Sequence, residues 1–296
     1  MPPTVEGGTG SSLADAYEAC RRLQRRHDPT YYWATRRLPA DVRPAVHALY
    51  GYVRSADELV DGPGRLRAPE ARRHALDEWE RALQVGLARG HSPEPVVAAL
   101  VDAGRRHGLP LFELERYMRS MRRDCGRVRM ETWDELVDYM QGSAGSVGRI
   151  TAPLLGAPAS AHAAFGRLAL GFQLANFLRD VVEDYALDRV YLPAEDLERF
   201  GTGEADIAGR RATPAFCALI VFETARAREL LRAGDTALVA ASPAVRPGMR
   251  LACEVYSAVL DRIEHVGGDV LRRRTMPSPW RLGAAGVTAL RGRPAA

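Results

Sequence analysis

Lysine is missing altogether, since all 41 basic side chains of the 296-residue chain are arginine. That absence excludes chemistry needing an ε-amine: a Schiff base, a pyridoxal-phosphate anchor or the phosphate-binding lysine of a P-loop. Cysteine is scarce. Cys20, Cys125, Cys217 and Cys253 show no C-x-x-C spacing and no neighbouring histidine, which argues against a zinc site or a redox pair and for a reduced, cytoplasmic setting. No apolar run approaches the roughly 18 residues of a membrane-spanning helix. Met1 to Ser12 is polar and glycine-rich, without the basic and then apolar order of an export signal. Strand-like alternation is almost absent, and no G-x-G-x-x-G or G-x-S-x-G occurs, so a Rossmann dehydrogenase or a serine hydrolase is not expected.

What is present is helix after helix. Hydrophobic residues make up 46% and charged residues 26%, enough to bury a sizeable core. Apolar positions recur at helical spacing over 13–23, 42–60, 71–87, 95–103, 112–121, 133–140, 165–182, 214–231 and 251–266. Gly62-Pro63-Gly64, Gly108-Leu109-Pro110, Gly156-Ala157-Pro158 and Gly201-Thr202-Gly203 punctuate them. We expect one all-α domain over residues 13–282, with loose ends at 1–12 and 283–296. The net charge is +4 with a pI near 9.0. The arginines are interleaved with acids and form no long basic block, so nucleic acid is not an expected partner. An arginine-rich nucleic-acid-binding or adaptor protein is the competing class, to be revealed by salt-sensitive retention without turnover.

Two carboxylate pairs share one pattern. Asp57 and Asp61 are spaced D-x-x-x-D, and Asp180 and Asp184 repeat that spacing. On a helix each pair shares a face, one turn apart. Tyr50, Arg54, Asp57 and Asp61 fall within a stripe about 60° wide, as do Gln173, Asn176, Asp180 and Asp184. Leu49, Val53 and Val60 supply apolar packing for the first stripe; Leu170, Leu174, Phe177, Leu178 and Val181 do so for the second. One isolated D-x-x-x-D reads as a solvated helix face. Two copies on apolar helices read instead as pairs facing each other across a cavity of a bundle.

Like charges at i,i+4 repel, and burying them without partners is costly, so a compensating cation is expected. Mg²⁺ takes hard oxygen ligands, keeps water, and binds through a few carboxylates plus substrate phosphates. Arg54 and Arg179 beside the carboxylates offer planar, multi-donor contacts to phosphate oxygens. Carboxylate, cation and arginine together describe a site for a diphosphate leaving group.

At these residues the chain resembles the squalene and phytoene synthase family of head-to-head prenyltransferases, over about residues 27–273. Tyr50-x-x-x-Arg54-x-x-Asp57-x-x-x-Asp61 is similar to the family's first Asp-rich segment. Gln173-x-x-Asn176-x-x-Arg179-Asp180-x-x-x-Asp184, followed by Arg189-Val-Tyr-Leu-Pro193, is similar to its second. Further likeness lies in His27-Asp-Pro-Thr30, in Tyr139-Met-Gln-Gly-Ser-Ala-Gly-Ser-Val-Gly148, and in Tyr256 and Arg273. The wording around His27 and over Leu38 to Tyr50 resembles bacterial phytoene synthases most. Asp28 departs from the small polar or basic residue usual there.

The resemblance implies an isoprenoid-synthase-type helical bundle around a central cavity. Asp57, Asp61, Asp180 and Asp184 with Asn176 would hold Mg²⁺, with Mn²⁺ as a substitute. His27, Thr30, Tyr31, Tyr50, Arg54, Gln173, Arg179, Tyr256 and Arg273 would contact substrate, while Tyr139, like Tyr31, would face the allylic cation. Residues Gly142, Gly145 and Gly148 read equally as close helix packing, a kink or a substrate channel. The implied reaction joins two geranylgeranyl diphosphates into phytoene through prephytoene diphosphate, with no need for NADPH. Farnesyl diphosphate, leading to presqualene diphosphate or squalene, shares every motif. The greasy product implies peripheral contact with a membrane surface and a downstream desaturase.

Overall fold

The computed structural model describes residues 12–28, 32 and 35–272, grouped into two compact units. One takes the described residues up to Arg65 together with His74–Leu109, the other Leu66–Arg73 and the residues from Pro110 onward. As the periodicity predicts, regular structure is almost wholly helical in both.

The first unit contains α1 (Leu13–His27), α2 (Arg43–Asp61), most of α3 (Pro69–Arg89) and α4 (Pro95–His107). A capping box starts α1: Ser12 Oγ accepts from the Asp15 amide, and Asp15 accepts in return from the Ser12 amide. Pro44 opens α2, where its missing N–H costs nothing. Helices α1, α2 and α4 pack on one another and bury Cys20, Leu49, Tyr52 and Leu100. The Tyr52 ring stacks on Trp79 with centroids 5.2 Å apart, and Trp79 Nε1 donates to the Tyr52 carbonyl. Fixing that face of α2 leaves Tyr50, Arg54 and Asp57 half-buried and Asp61 exposed on the opposite one.

The second unit holds α5 (Glu113–Asp124), β1 (Val128–Arg129), α6 (Trp133–Met140), a π-helical turn at Gln141–Gly145, α7 (Ser146–Thr151), α8 (His162–Arg179), α9 (Val181–Ala186), β2 (Arg189–Val190), α10 (Ala194–Arg199), α11 (Glu204–Ala208), α12 (Pro214–Ala240) and α13 (Arg246–His265). Helix α8 is central, packed by α7, α12, α13 and the π-turn. Its apolar side, Leu170, Leu174, Phe177 and Leu178, is buried, whereas Gln173, Asn176 and Arg179 are only partly covered. The strands β1 and β2 pair in parallel, Val128 with Arg189 and Arg129 with Val190. Arg129 clips this ladder down by bonding Glu204 and Asp188.

Two sequence expectations change. The helix expected over 165–182 breaks at Asp180, whose φ of −105° and ψ of 19° lie in the bridge region between helical and extended backbone. The turn is kinked rather than ended, because the Asp184 amide still donates to the Asp180 carbonyl at 2.8 Å. The helix expected to stop at Leu231 runs on to Ala240, since Gly234 sits against Leu168 and Cys253, where its lack of a side chain permits close packing. Two of the mid-chain glycines stand where close packing leaves no room for a side chain: a Cβ on Gly142 would lie 2.1 Å from Ser120 Oγ and 2.7 Å from the Arg116 carbonyl, and one on Gly148 would lie 2.6 Å from the Phe165 carbonyl.

Candidate active site

In the first unit the polar face of α2 forms as the spacing predicts. Arg54 Nη2 reaches Glu58 Oε1 at 3.4 Å, and His27 Nδ1, from the end of α1, lies 3.3 Å from the same oxygen. Glu58 is thus the hub of this face, and the motif did not single it out. Its signal was present in the sequence: it stands four residues after Arg54, the spacing of a helical ion pair. The Arg54 Nε is buried with no hydrogen-bond partner among the described residues, so one directional donor is spare. Burial first, and then the nearby carboxylate of Asp28, push the Tyr50 hydroxyl up to about 12, so it is a neutral donor at physiological pH. Asp28, the departure noted in the sequence, therefore bears on Tyr50 directly. Thr30 and Tyr31 lie outside the described residues.

In the second unit Arg179 and Asp180 form a bidentate pair, Nε to Oδ1 at 2.6 Å and Nη2 to Oδ2 at 2.5 Å. Asp184 sits one turn further and lines a small cavity with Phe177, Val181, Arg189 and Tyr191. Tyr256 of α13 stacks its ring on Phe172 of α8, centroids 4.3 Å apart; the hydrogen bond to Asp180 raises the basicity of Arg179, and Tyr256 adds to it. Of the substrate contacts expected here, Arg273 lies outside the described residues.

Tyr139 does not stand on an open wall. It is 2% exposed, its hydroxyl donating to Asp124 Oδ2 at 2.6 Å, with Phe177 and Tyr191 against its ring and the Arg123 guanidinium 5.7 Å from its centroid. Burial, then Asp124, hold its hydroxyl well above the usual phenol range. Asp124 was missed from the sequence because its partners lie 15 and 67 residues away, beyond any helical period.

The donor set fits a hard divalent cation only in part. Among the described residues no three His, Cys, Asp or Glu side chains converge on one point. Each D-x-x-x-D spacing offers two carboxylates one helical turn apart, the second preceded by Asn176, which suits a cation that completes its shell from water and phosphate oxygens and does not suit a closed protein cage.

The family model for Squalene/phytoene synthase matches residues 24–281. The chain belongs to the squalene/phytoene synthase family. A phytoene synthase of Arthrospira platensis is 33% identical over 287 residues, covering 92% of each chain. One from Thermus thermophilus is 34% identical, covering 91% of each. Among solved structures, the squalene synthase HpnC of Alicyclobacillus acidocaldarius superposes with a TM-score of 0.79 at 30% identity, covering 86% of this chain and 95% of that one. A dehydrosqualene synthase with bound ligand, 23% identical, shares the fold at a TM-score of 0.82, covering 94% and 96%. Family membership makes this chain a prenyltransferase, and the all-helical architecture of the isoprenoid synthases is the one observed.

Proposed function

We propose that the chain condenses two geranylgeranyl diphosphates head to head into phytoene, the first committed hydrocarbon of carotenoid biosynthesis. The observation that carries this reading is the repeated polar stripe, carboxylate pair plus arginine, on helices whose other faces are apolar. Relatives named phytoene synthase at about one-third identity support the same choice.

In this reading Asp57 and Asp61, and Asp180 and Asp184 with Asn176, hold Mg²⁺, for which Mn²⁺ substitutes. The bound cation supplies positive charge against the charge that develops on a departing diphosphate. Arg54, with its spare Nε, and Arg179 donate to diphosphate oxygens, and the neutral Tyr50 hydroxyl and the Gln173 amide add donors that carry no charge. His27 orients Glu58, and Glu58 orients Arg54. The apolar helix faces exclude water that would trap the allylic cation as an alcohol. Ionisation, attack by the second substrate's double bond and loss of a proton give cyclopropyl prephytoene diphosphate. A second ionisation, rearrangement and proton loss give the hydrocarbon, so two diphosphates and two protons leave without a reductant. Because the product is a long hydrocarbon, we place the enzyme at a membrane surface, handing product to a desaturase. Among the described residues no helix is long and apolar enough to cross a membrane, so this contact would be peripheral.

A second reading is favoured by the likeness to squalene synthase HpnC: farnesyl diphosphate as substrate and presqualene diphosphate or squalene as product. Mass identification of the hydrocarbon made from each diphosphate, with and without NADPH, tests both. Phytoene from geranylgeranyl diphosphate without NADPH is expected; turnover of farnesyl diphosphate alone would overturn the first reading.

A further inference from the structure

Asp124, at the C-terminal end of α5, takes no direct part in the chemistry proposed above, yet the residue is only 6% exposed. Its two oxygens accept from two different phenols: Tyr139 Oη donates to Oδ2 at 2.6 Å, and Tyr191 Oη donates to Oδ1 at 2.8 Å. The two hydroxyls are 3.4 Å apart, and the Asp124 main-chain carbonyl accepts from Arg189 at 2.6 Å. A single buried side chain thereby ties together the ends of α5, α6 and β2.

The tie reaches the second aspartate pair. The Tyr191 ring lies flat on Phe177, centroids 3.9 Å apart and planes 13° from parallel. Phe177 directly follows Asn176 and is one turn before Asp180, and Tyr191, Phe177 and Asp184 line the same small cavity. The kink at Asp180 separates α8 from the short helix α9 that carries Asp184, so the axis of α8 alone does not set where Asp184 points. Phe177 and Tyr191 beside it in that cavity bear on its placement.

Resting on the function proposed above, we propose that Asp124 is a positioning residue for the second aspartate pair, acting through Tyr139 and Tyr191. Asparagine at this position offers one acceptor oxygen where aspartate offers two, so one phenol loses its acceptor and the Tyr191 to Phe177 stack loosens. The effect falls on alignment of the diphosphate during ionisation more than on its capture.

The test uses the full chain. Asp124→Asn is expected to lower kcat for pyrophosphate release about 10- to 100-fold, the usual loss when a support behind ligating residues is removed, with KM for the prenyl diphosphate within about 3-fold. Added to Tyr139→Phe/Tyr191→Phe, it should cost nothing further, because those changes already remove the donors through which it acts. In near-ultraviolet circular dichroism the tyrosine band should flatten while the far-ultraviolet helical signal stays intact. A kcat within 3-fold of wild type, or a loss that multiplies onto the double phenylalanine variant, overturns the proposal. If Asp124→Asn does not fold, Tyr139→Phe/Tyr191→Phe decides: kcat down at least 10-fold at constant KM supports it, and an unchanged kcat overturns it. Should wild-type protein release no pyrophosphate from any prenyl diphosphate, the proposed function fails, and the dichroism comparison still decides whether Asp124 orders the two tyrosines.

Discussion

Both carboxylate oxygens of Asp180 are engaged by the guanidinium of the preceding residue, Arg179. Hydrogen bonding to Asp180 is the leading reason that Arg179 is more basic than usual. A carboxylate held in this way cannot offer its oxygens freely to a cation, and a diphosphate competes for the same guanidinium. Arg179→Gln should therefore bind Mg²⁺ alone about 5-fold more tightly than wild type while KM for the prenyl diphosphate rises, a coupling of ordinary size. Calorimetric titration with Mg²⁺ alone, beside steady-state kinetics, checks both; equal Mg²⁺ affinity in the two proteins would refute the competition.

The proposed metal roles are tested one pair at a time. Asp57→Asn and Asp180→Asn each preserve shape and remove one negative charge. Each should reduce Mg²⁺-dependent pyrophosphate release on the order of 100-fold, the scale of losing one directed electrostatic contact to developing charge. Far-ultraviolet dichroism should be unchanged, because both side chains stand on half-buried polar faces.

A buried acid sets a pH dependence away from these stripes. Glu223 of α12 is fully buried; burial, opposed by Arg226 and reinforced by Asp196, pushes its carboxyl up to about 8 from an ordinary 4.5. Arg226 Nη1 donates to both acids, at 2.7 Å to Glu223 and 2.5 Å to Asp196, and packs against Trp133 and Phe222. The folded state holds a proton here that the unfolded chain releases above pH 4.5, so this contribution to stability is full below that pH and lost as pH rises through about 8. Between pH 5.5 and 8.5 wild type should lose on the order of 3 kcal/mol more than Glu223→Gln, which stays neutral. Urea unfolding at the two pH values measures the difference, and parallel losses in the two proteins would contradict it.

The π-turn depends on its glycine. In Gly142→Ala the new methyl meets the Ser120 hydroxyl and the Arg116 main-chain carbonyl, and the carbonyl cannot rotate away. We expect a loss of about 1–3 kcal/mol, typical of overpacking, seen as a lower Tm. Ser120→Ala on top should restore only part of it, since the carbonyl contact remains.

Helical periodicity, glycine and proline punctuation and the twin D-x-x-x-D stripes were legible in the chain alone, and so was the family. Each depends on residues within a turn or two of one another, where a period of 3.6 residues dictates which side chains share a face. The same logic placed Tyr50, Arg54 and Asp57 on the half-buried side of α2 and Leu174 and Phe177 on the buried side of α8. Local spacing did not disclose that Asp124 gathers Tyr139 and Tyr191, that Glu223 shares Arg226 with Asp196, or that the helix kinks at Asp180. Asp124 and its tyrosines, like Asp196 and Arg226, lie far apart along the chain, and the kink accompanies ring packing of Phe177 against Tyr191 from another element. The sequence decides which faces are buried because burial follows local pattern; only packing in three dimensions decides which buried groups meet, because a buried polar group binds whatever partner the neighbouring element brings within reach.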